Sequence, residues 1–208
     1  MIEISTSILA SNKRIEDIKI LNNTTTDYIH IDAMDNIFVP NYQFPTDEIN
    51  SLAEYTKKKF DIHLMVTDPV KYIKELKCKD IINNITFHIE VDKNIDSIIN
   101  LIKQKGFKVG LAIKLDTPIN RLYKYLKKID IVLIMSIVPG FSGQKFNKQS
   151  IDKIKELRKY NKDIIIEVDG GITNETIKLI NDDINIAVSA SYITNSNNYQ
   201  KAINDLKN

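Results

Sequence analysis

Short apolar segments rich in β-branched residues alternate with longer amphipathic segments along the chain. The short segments are typical of buried parallel strands, and the longer ones carry apolar residues at helical spacing. The predicted strands are residues 3–9, 28–32, 60–65, 85–90, 108–113, 129–135, 164–168 and 185–189. Two predicted helical faces consist of Ile95, Ile98, Ile99 and Ile102, and of Ile151, Ile154 and Leu157.

Eight strand–helix units in succession predict a parallel sheet, because each strand returns through a helix. In a chain of 208 residues, eight such units favour a closed (β/α)8 TIM barrel over an open sheet. An open doubly wound sheet would need a glycine-rich turn after the first strand, and residues 7–12 contain no glycine. We therefore expect an α/β fold with one barrel domain over residues 1–208.

Three of the expected helices have start signals in the sequence. Asp68-Pro69 precedes the third helix, Thr117-Pro118 the fifth, and Thr173-Asn174-Glu175 the seventh. A capping side chain followed by proline or an acidic residue is typical of a helix N-terminus.

Composition and charge narrow the classes of partner. The formal net charge is +2, and lysines are interspersed with acidic residues, so no basic patch for nucleic acid is expected. The single cysteine, Cys78, cannot form an internal disulfide. The first residues lack a signal-peptide pattern, and no apolar run reaches about 18 residues. We expect a cytoplasmic protein with neither membrane nor nucleic-acid partners.

Polar side chains cluster where predicted strands end, which is where barrel active sites form. The second strand ends in His30-Ile31-Asp32, the third contains His63, and the seventh is followed by Asp169. A single histidine in a strand is more often a core residue than a ligand. Two histidines and two aspartates at matching strand ends instead suit one divalent metal ion, such as Zn, Fe, Mn or Co.

Glycines follow the late strands, where phosphate groups commonly bind to backbone N–H groups. They lie in the loop at residues 139–144 and at Gly170-Gly171, and Ala190-Ser191 follows the last strand. The alternative is that these glycines only form tight turns. Three methionines at strand ends, Met34, Met65 and Met135, either fill the core or form a polarizable wall of the site.

Seven stretches of the chain together resemble the ribulose-phosphate 3-epimerase family. They are residues 7–11, 29–35, 38–41, 61–66, 86–90, 135–144 and 167–172, which occur in family order and at family-like spacing over nearly the whole chain. The resemblance implies a barrel of the ribulose-phosphate-binding type. It also implies an isomerase of the pentose phosphate pathway that acts on a phosphorylated ketose.

The resemblance further implies specific roles for residues of this chain. The metal would be held by His30, Asp32, His63 and Asp169, with Asp32 and Asp169 exchanging the roles of base and acid. D-ribulose 5-phosphate and D-xylulose 5-phosphate would interconvert by 1,1-proton transfer through a metal-stabilised enediolate. The implied substrate contacts are Ser7, His63, Gly140, Phe141, Ser142, Gly143, Gly170, Gly171, Ala190 and Ser191. Family members are often homo-oligomers.

The chain departs from the family pattern at three places. Asn36 replaces a glycine, and asparagine can adopt the same left-handed backbone. Residues 114–116 replace an Asn-Pro pair. Ala190 replaces a glycine. An alanine fits this turn if its φ angle is negative, and its methyl group predicts altered binding of phosphate.

Three other functions are compatible with parts of this pattern. An epimerase of a ketohexose 6-phosphate, such as allulose 6-phosphate, would use the same catalytic residues. A decarboxylase or aldol-type synthase would require a strand that ends in an Asp-x-Lys pattern, and the second strand of this chain ends in His30-Ile31-Asp32 instead. A non-catalytic phosphosugar-binding barrel would have lost a metal ligand or an acid/base aspartate, and none is lost. His88 either orders the site or packs in the barrel.

Overall fold

Eight parallel strands close into a barrel in the computed structural model, which describes residues 2–208. In chain order the strands are β1 (Glu3–Ser7), β2 (Tyr28–Asp35), β3 (Tyr42–Gln43), β4 (Lys59–Met65), β5 (Ile82–His88), β6 (Lys108–Ile113), β7 (Ile131–Met135), β8 (Ile165–Asp169) and β9 (Ile186–Ser189). β1 pairs with both β2 and β9 and so closes the ring. β3 is an antiparallel extension of β2 and lies outside the count of eight. The predicted TIM barrel is confirmed.

Helices cover the outside of the barrel. They are α1 (Arg14–Leu21), α2 (Thr46–Leu52), α3 (Pro69–Glu75), α4 (Ile95–Gln104), α5 (Gln149–Tyr160), α6 (Ser191–Thr194) and α7 (Tyr199–Lys207). Four 3-10 helices occupy Ala53–Tyr55, Lys79–Ile81, Ile119–Tyr125 and Ile177–Leu179. Within residues 2–208, no helix combines the length and the apolar character needed to cross a membrane.

The main core lies between the strands and the helices. The predicted isoleucine face of α4 is buried there, with Ile98 and Ile102 almost fully excluded from solvent. In α5, Ile154 and Leu157 are fully buried while Ile151 is partly buried. The Asp68 side chain caps α3 by accepting a hydrogen bond from the Lys71 N–H, as the start signal predicted.

Two predicted α-helices are wrong. The segment after Thr117-Pro118 forms only the 3-10 helix Ile119–Tyr125, whose asparagine and tyrosines favour an α-helix weakly. After Thr173, the chain forms a hydrogen-bonded turn and the three-residue 3-10 helix Ile177–Leu179. The Thr176 hydroxyl accepts from the Thr173 N–H and donates to the Gly171 carbonyl, which competes with α-helical bonding.

Strand ends near the site differ from the predicted bounds in four places. β1 ends at Ser7 rather than at residue 9, and β8 ends at Asp169 rather than at residue 168. β2 continues to Asp35, so Met34 belongs to the strand, and Asn36 follows with a φ of 60°. The left-handed backbone expected of Asn36 is therefore present. β5 stops at His88, which leaves Glu90 in the loop beyond the strand end.

Candidate metal centre and active site

The two histidines and two aspartates predicted from the strand ends converge inside the barrel. Strand register places Asp32 beside His63, because β2 and β4 pair in parallel with these residues opposite each other. The ligand atoms of His30, Asp32, His63 and Asp169 all lie within 4.8 Å of one another. The structure thus brings together residues that are far apart in sequence.

Individual distances define which atoms face each other. Asp32 Oδ1 lies 3.2 Å from His30 Nε2 and 3.2 Å from His63 Nδ1. His63 Nδ1 is also 3.9 Å from Asp169 Oδ2. The two rings therefore present different nitrogens to the carboxylates, Nε2 from His30 and Nδ1 from His63.

The donor set fits a divalent metal ion. His30 Nε2 is fully buried and has no hydrogen-bond partner among residues 2–208, although it faces the Asp32 carboxylate. A buried polar atom without a partner is costly in a folded protein unless something else satisfies it. Two imidazole nitrogens and two carboxylates are ligands that borderline divalent metals accept.

The two aspartates have opposite protonation preferences. Burial by itself would raise the pKa of Asp32, but the neighbouring imidazoles of His30 and His63 outweigh it and hold that pKa far below its ordinary value. For Asp169, burial and the adjacent charge of Asp32 raise the pKa to about 7. Without metal, Asp32 therefore favours the carboxylate form, and Asp169 binds a proton more readily than an ordinary aspartate does.

Asp61 holds His30 from below the cluster. Its Oδ2 lies 2.6 Å from His30 Nδ1 and also accepts from the Ser5 hydroxyl at 2.7 Å. Its Oδ1 accepts from the Asn84 amide at 2.6 Å. Because Asp61 accepts the Nδ1 proton of His30, Nε2 is the nitrogen that remains to face the cluster.

A second chain of contacts leads outward from His63. His63 Nε2 lies 2.9 Å from His88 Nε2, and His88 Nδ1 lies 3.1 Å from Glu90 Oε2. Burial lowers the pKa of the His88 ring to about 4, so the ring is neutral at physiological pH. Because His88 contacts the proposed ligand His63, it is more than a packing residue.

A cavity of about 560 Å³ opens directly above the cluster. Asp32 and Asp169 form part of its floor. Met34 and Met65 line it from one apolar cluster, and Met135 lines it from another. The other predicted contacts that line it are Ser7, Gly140, Phe141, Ser142, Gly143, Gly170, Gly171, Ala190 and Ser191. Of the predicted substrate contacts, only His63 lies beneath the floor, where it is fully buried.

The turns after β7, β8 and β9 shape the far end of the cavity. Gly140, Gly170 and Gly171 all have positive φ angles. A Cβ atom on Gly171 would lie 2.2 Å from the backbone N of Phe146, so the two loops pack too closely for any side chain there. Ala190 has a φ of −105°, which is the negative angle that an alanine requires.

Several residues near the site received no site role from the sequence. Gln144, Lys145, Thr173, Glu175, Thr176 and Tyr192 also line the cavity. Asp61 was part of a matching stretch but received no role. A usable signal existed, because Asp61 precedes His63 by two residues and so points to the same face of β4.

Comparisons with known proteins agree with this geometry. A family model described as the ribulose-phosphate 3 epimerase family matches residues 3–194. The ribulose-phosphate 3-epimerase of Bacillus subtilis is 33% identical over 100% of this chain and 99% of its own length. The Buchnera aphidicola (subsp. Baizongia pistaciae) enzyme of that name is 40% identical over 98% and 93%. 3-Hexulose-6-phosphate synthase from Salmonella typhimurium has a TM-score of 0.75 at 15% identity, covering 99% and 96%, which shows a shared fold alone.

Proposed function

The chain belongs to the ribulose-phosphate 3-epimerase family, and we propose that it interconverts D-ribulose 5-phosphate and D-xylulose 5-phosphate at the His30–Asp32–His63–Asp169 cluster. One observation carries the proposal within the site. Two carboxyl groups lie together on the floor of one cavity, and their surroundings give them opposite protonation preferences. A pair of titratable groups whose pKa values are pushed apart is suited to acid–base catalysis.

Epimerisation beside a ketone needs one base and one acid on opposite faces of the reacting carbon. Asp32, as a carboxylate, takes the C3 proton, and the electron pair of the broken C–H bond moves into an enediolate. Asp169, as a carboxylic acid, returns a proton to C3 from the other face and re-forms a C–H bond. In the reverse direction the two aspartates exchange roles. The intermediate never has to turn over in the site.

The residues around the two aspartates would hold a divalent cation. His30 Nε2, His63 Nδ1 and one oxygen each of Asp32 and Asp169 are the atoms that face one another. When bound, such an ion supplies Lewis-acid stabilisation of negative charge on the substrate oxygens. Zn, Fe, Mn and Co are all compatible with this donor set.

The loops that line the cavity support binding of the phosphate group. The loops at Gly140–Gly143 and Gly170–Gly171 and the turn at Ala190–Ser191 all line the same space. Backbone N–H groups of such loops suit phosphate oxygens and would fix the register of the sugar relative to the aspartates. The methionines, which also line the cavity, would shield the reacting carbon from water.

Two broader expectations concern the assembly and the location of the protein. We expect a homo-oligomer, which light scattering coupled to size-exclusion chromatography would detect. We also expect a cytoplasmic location, which fractionation of cells that produce the protein would test.

The test is C3 epimerisation of D-ribulose 5-phosphate by purified protein after chelation and after each metal is added back. D-allulose 6-phosphate serves as the alternative substrate in the same assay. The proposal predicts that chelation abolishes activity, that a divalent metal restores it, and that the pentulose phosphate has the higher kcat/KM. A higher kcat/KM with the hexulose phosphate would change the assigned substrate to that sugar. Inactivity on both sugars would reject the epimerase function.

A further inference from the structure

We infer that His88 and Glu90 are positioning residues that hold His63 in the tautomer whose Nδ1 lone pair faces the metal cluster. The inference deepens the proposed function, since it assumes that the cluster binds a metal. Neither His88 nor Glu90 lines the cavity. Their contact with the four proposed ligands runs through the ring of His63.

The outer end of this chain of contacts is a fixed carboxylate. Glu90 Oε1 accepts from the Lys114 backbone N–H at 2.9 Å and from the Thr117 hydroxyl. Two donors on Oε1 favour the ionised form, so Oε2 acts as an acceptor. His88 Nδ1, 3.1 Å from Oε2, must therefore carry the hydrogen of that bond.

The hydrogen on Nδ1 decides what the other side of the His88 ring can do. In a neutral imidazole only one nitrogen carries a hydrogen, so His88 Nε2 is an acceptor. His63 Nε2, 2.9 Å away, must then donate. A neutral His63 that donates from Nε2 has its lone pair on Nδ1, which lies 3.2 Å from Asp32 Oδ1 and 3.9 Å from Asp169 Oδ2. The outer partners therefore oppose the tautomer in which Nδ1 would donate its hydrogen to Asp32.

Packing fixes the position of the His88 ring. The ring is fully buried, and its centroid lies 5.0 Å from that of His63 with a 29° angle between the planes. On the other side, the Phe38 ring lies 4.9 Å away, and Lys114 Nζ lies 4.2 Å from the centre of that ring. The His88 ring therefore has little room to rotate, and its two nitrogens keep facing Glu90 and His63.

His30 provides an internal contrast. Asp61 accepts from its Nδ1, which leaves Nε2 for the cluster. The two proposed ligands thus use opposite nitrogens because different partners hold their remaining nitrogens. Without the outer partners, His63 would be free to place a hydrogen on Nδ1 and donate it to Asp32, which blocks that nitrogen as a ligand.

The decisive variant is Glu90→Gln, which keeps the shape and reverses the direction of the hydrogen bonds. The glutamine Oε1 can still accept from Lys114 and Thr117, while its amide donates to His88 Nδ1. His88 then donates from Nε2, and His63 is left with a hydrogen on Nδ1. Every buried group stays paired, so the fold should be retained while the ligand nitrogen is blocked.

The measurement is ¹⁵N NMR of histidine-labelled protein together with titration of Zn(II), in wild type and in E90Q. The chain has three histidines, which keeps the spectrum simple. Asp130→Asn is the matched control, because Asp130 also accepts a backbone N–H, from Val109 at 2.8 Å, but at the other end of the barrel. We expect hydrogen on His63 Nε2 in metal-free wild type and on Nδ1 in metal-free E90Q.

Zinc should bind E90Q about 10- to 100-fold more weakly than wild type, the range for lost outer partners of a metal ligand, and D130N should match wild type. Equal zinc affinity in E90Q with an unchanged His63 tautomer would overturn the inference. If E90Q does not fold, wild type still decides, since hydrogen on His63 Nδ1 in the metal-free protein contradicts it. Tautomer and zinc affinity do not depend on turnover, so absence of epimerase activity would reject the proposed function alone.

Discussion

The hydroxyl of Ser7 donates a hydrogen bond of 2.7 Å to Oδ2 of Asp32, the proposed base. The other oxygen of that carboxylate, Oδ1, faces the two histidines. The residue from β1 therefore orients the carboxylate while the residues from β2 and β4 occupy its second oxygen. Family resemblance implies that Ser7 contacts substrate, and the structure adds a direct contact with the base.

Replacing Ser7 with alanine should lower kcat about 10-fold or more. The size is that expected for loss of a hydrogen bond to a charged group, and the reason is a less well oriented Asp32. Steady-state kinetics at saturating metal would measure it. Ser11→Ala is the control, because its hydroxyl only accepts from the Lys13 N–H in an exposed loop. A higher KM with unchanged kcat would show that Ser7 serves binding alone.

Replacing Asp61 with asparagine should weaken metal binding about 10- to 100-fold. The variant removes the carboxylate that accepts the Nδ1 hydrogen of His30 and places an amide among the donors Ser5 and Asn84. The double variant D61N/N84D returns one carboxylate to this cluster at a different position. We expect it to regain thermal stability but not metal affinity. Full recovery of metal affinity would contradict a role for Asp61 in holding His30.

Metal affinity should fall as pH decreases below about 7. In the metal-free protein the raised pKa of Asp169 means that its carboxyl binds a proton in this range, and a metal ion competes with that proton for a carboxyl oxygen. The expected slope is about tenfold in affinity per pH unit for each proton displaced. Competition with a calibrated chelator would measure this slope between pH 5.5 and 8, a range of about one to two units around that pKa. An Asp169→Asn variant should lose this part of the slope, and a pH-independent wild-type affinity would contradict the assignment.

Gly171→Ala should destabilise the fold more than Gly143→Ala. Both glycines have positive φ angles, which cost an alanine about 1 kcal/mol or more. Only at Gly171 would the new methyl group overlap a neighbour, the backbone of Phe146, and that overlap should add about 1–3 kcal/mol. Denaturant unfolding of the two variants compares them directly. Equal losses would show that the loops at residues 143–146 and 170–171 separate easily.

The sequence was sufficient to predict the barrel and the central cluster. Alternating strand and helix patterns depend on local spacing, and the α4 isoleucine face follows from it directly. His30 and Asp32 share one strand, so their common direction is a property of the strand itself. Their meeting with His63 and Asp169 required only that the strands close into a ring.

Two kinds of feature were not predictable in the same way: those that depend on competition between side-chain and helical hydrogen bonds, and those that depend on strand register. The segment after Thr173 carries a helix start signal, but side-chain hydrogen bonds to Gly171 and within the turn prevail there. The contacts of Asp61 with His30 and of Glu90 with His88 depend on where strands pair and end. No spacing in the sequence states those pairings.

The most direct test of the two-aspartate mechanism is deuterium incorporation at C3 from D₂O, using Asp32→Asn and Asp169→Asn at saturating metal. Loss of either acid–base group should slow epimerisation by about 10²- to 10⁴-fold. We predict that each variant still exchanges the C3 proton of one epimer only, and that the two variants select opposite epimers of the pentulose 5-phosphate. Exchange of both epimers by one variant, or epimerisation that survives both substitutions, would contradict the assignment of Asp32 and Asp169 to opposite faces of C3.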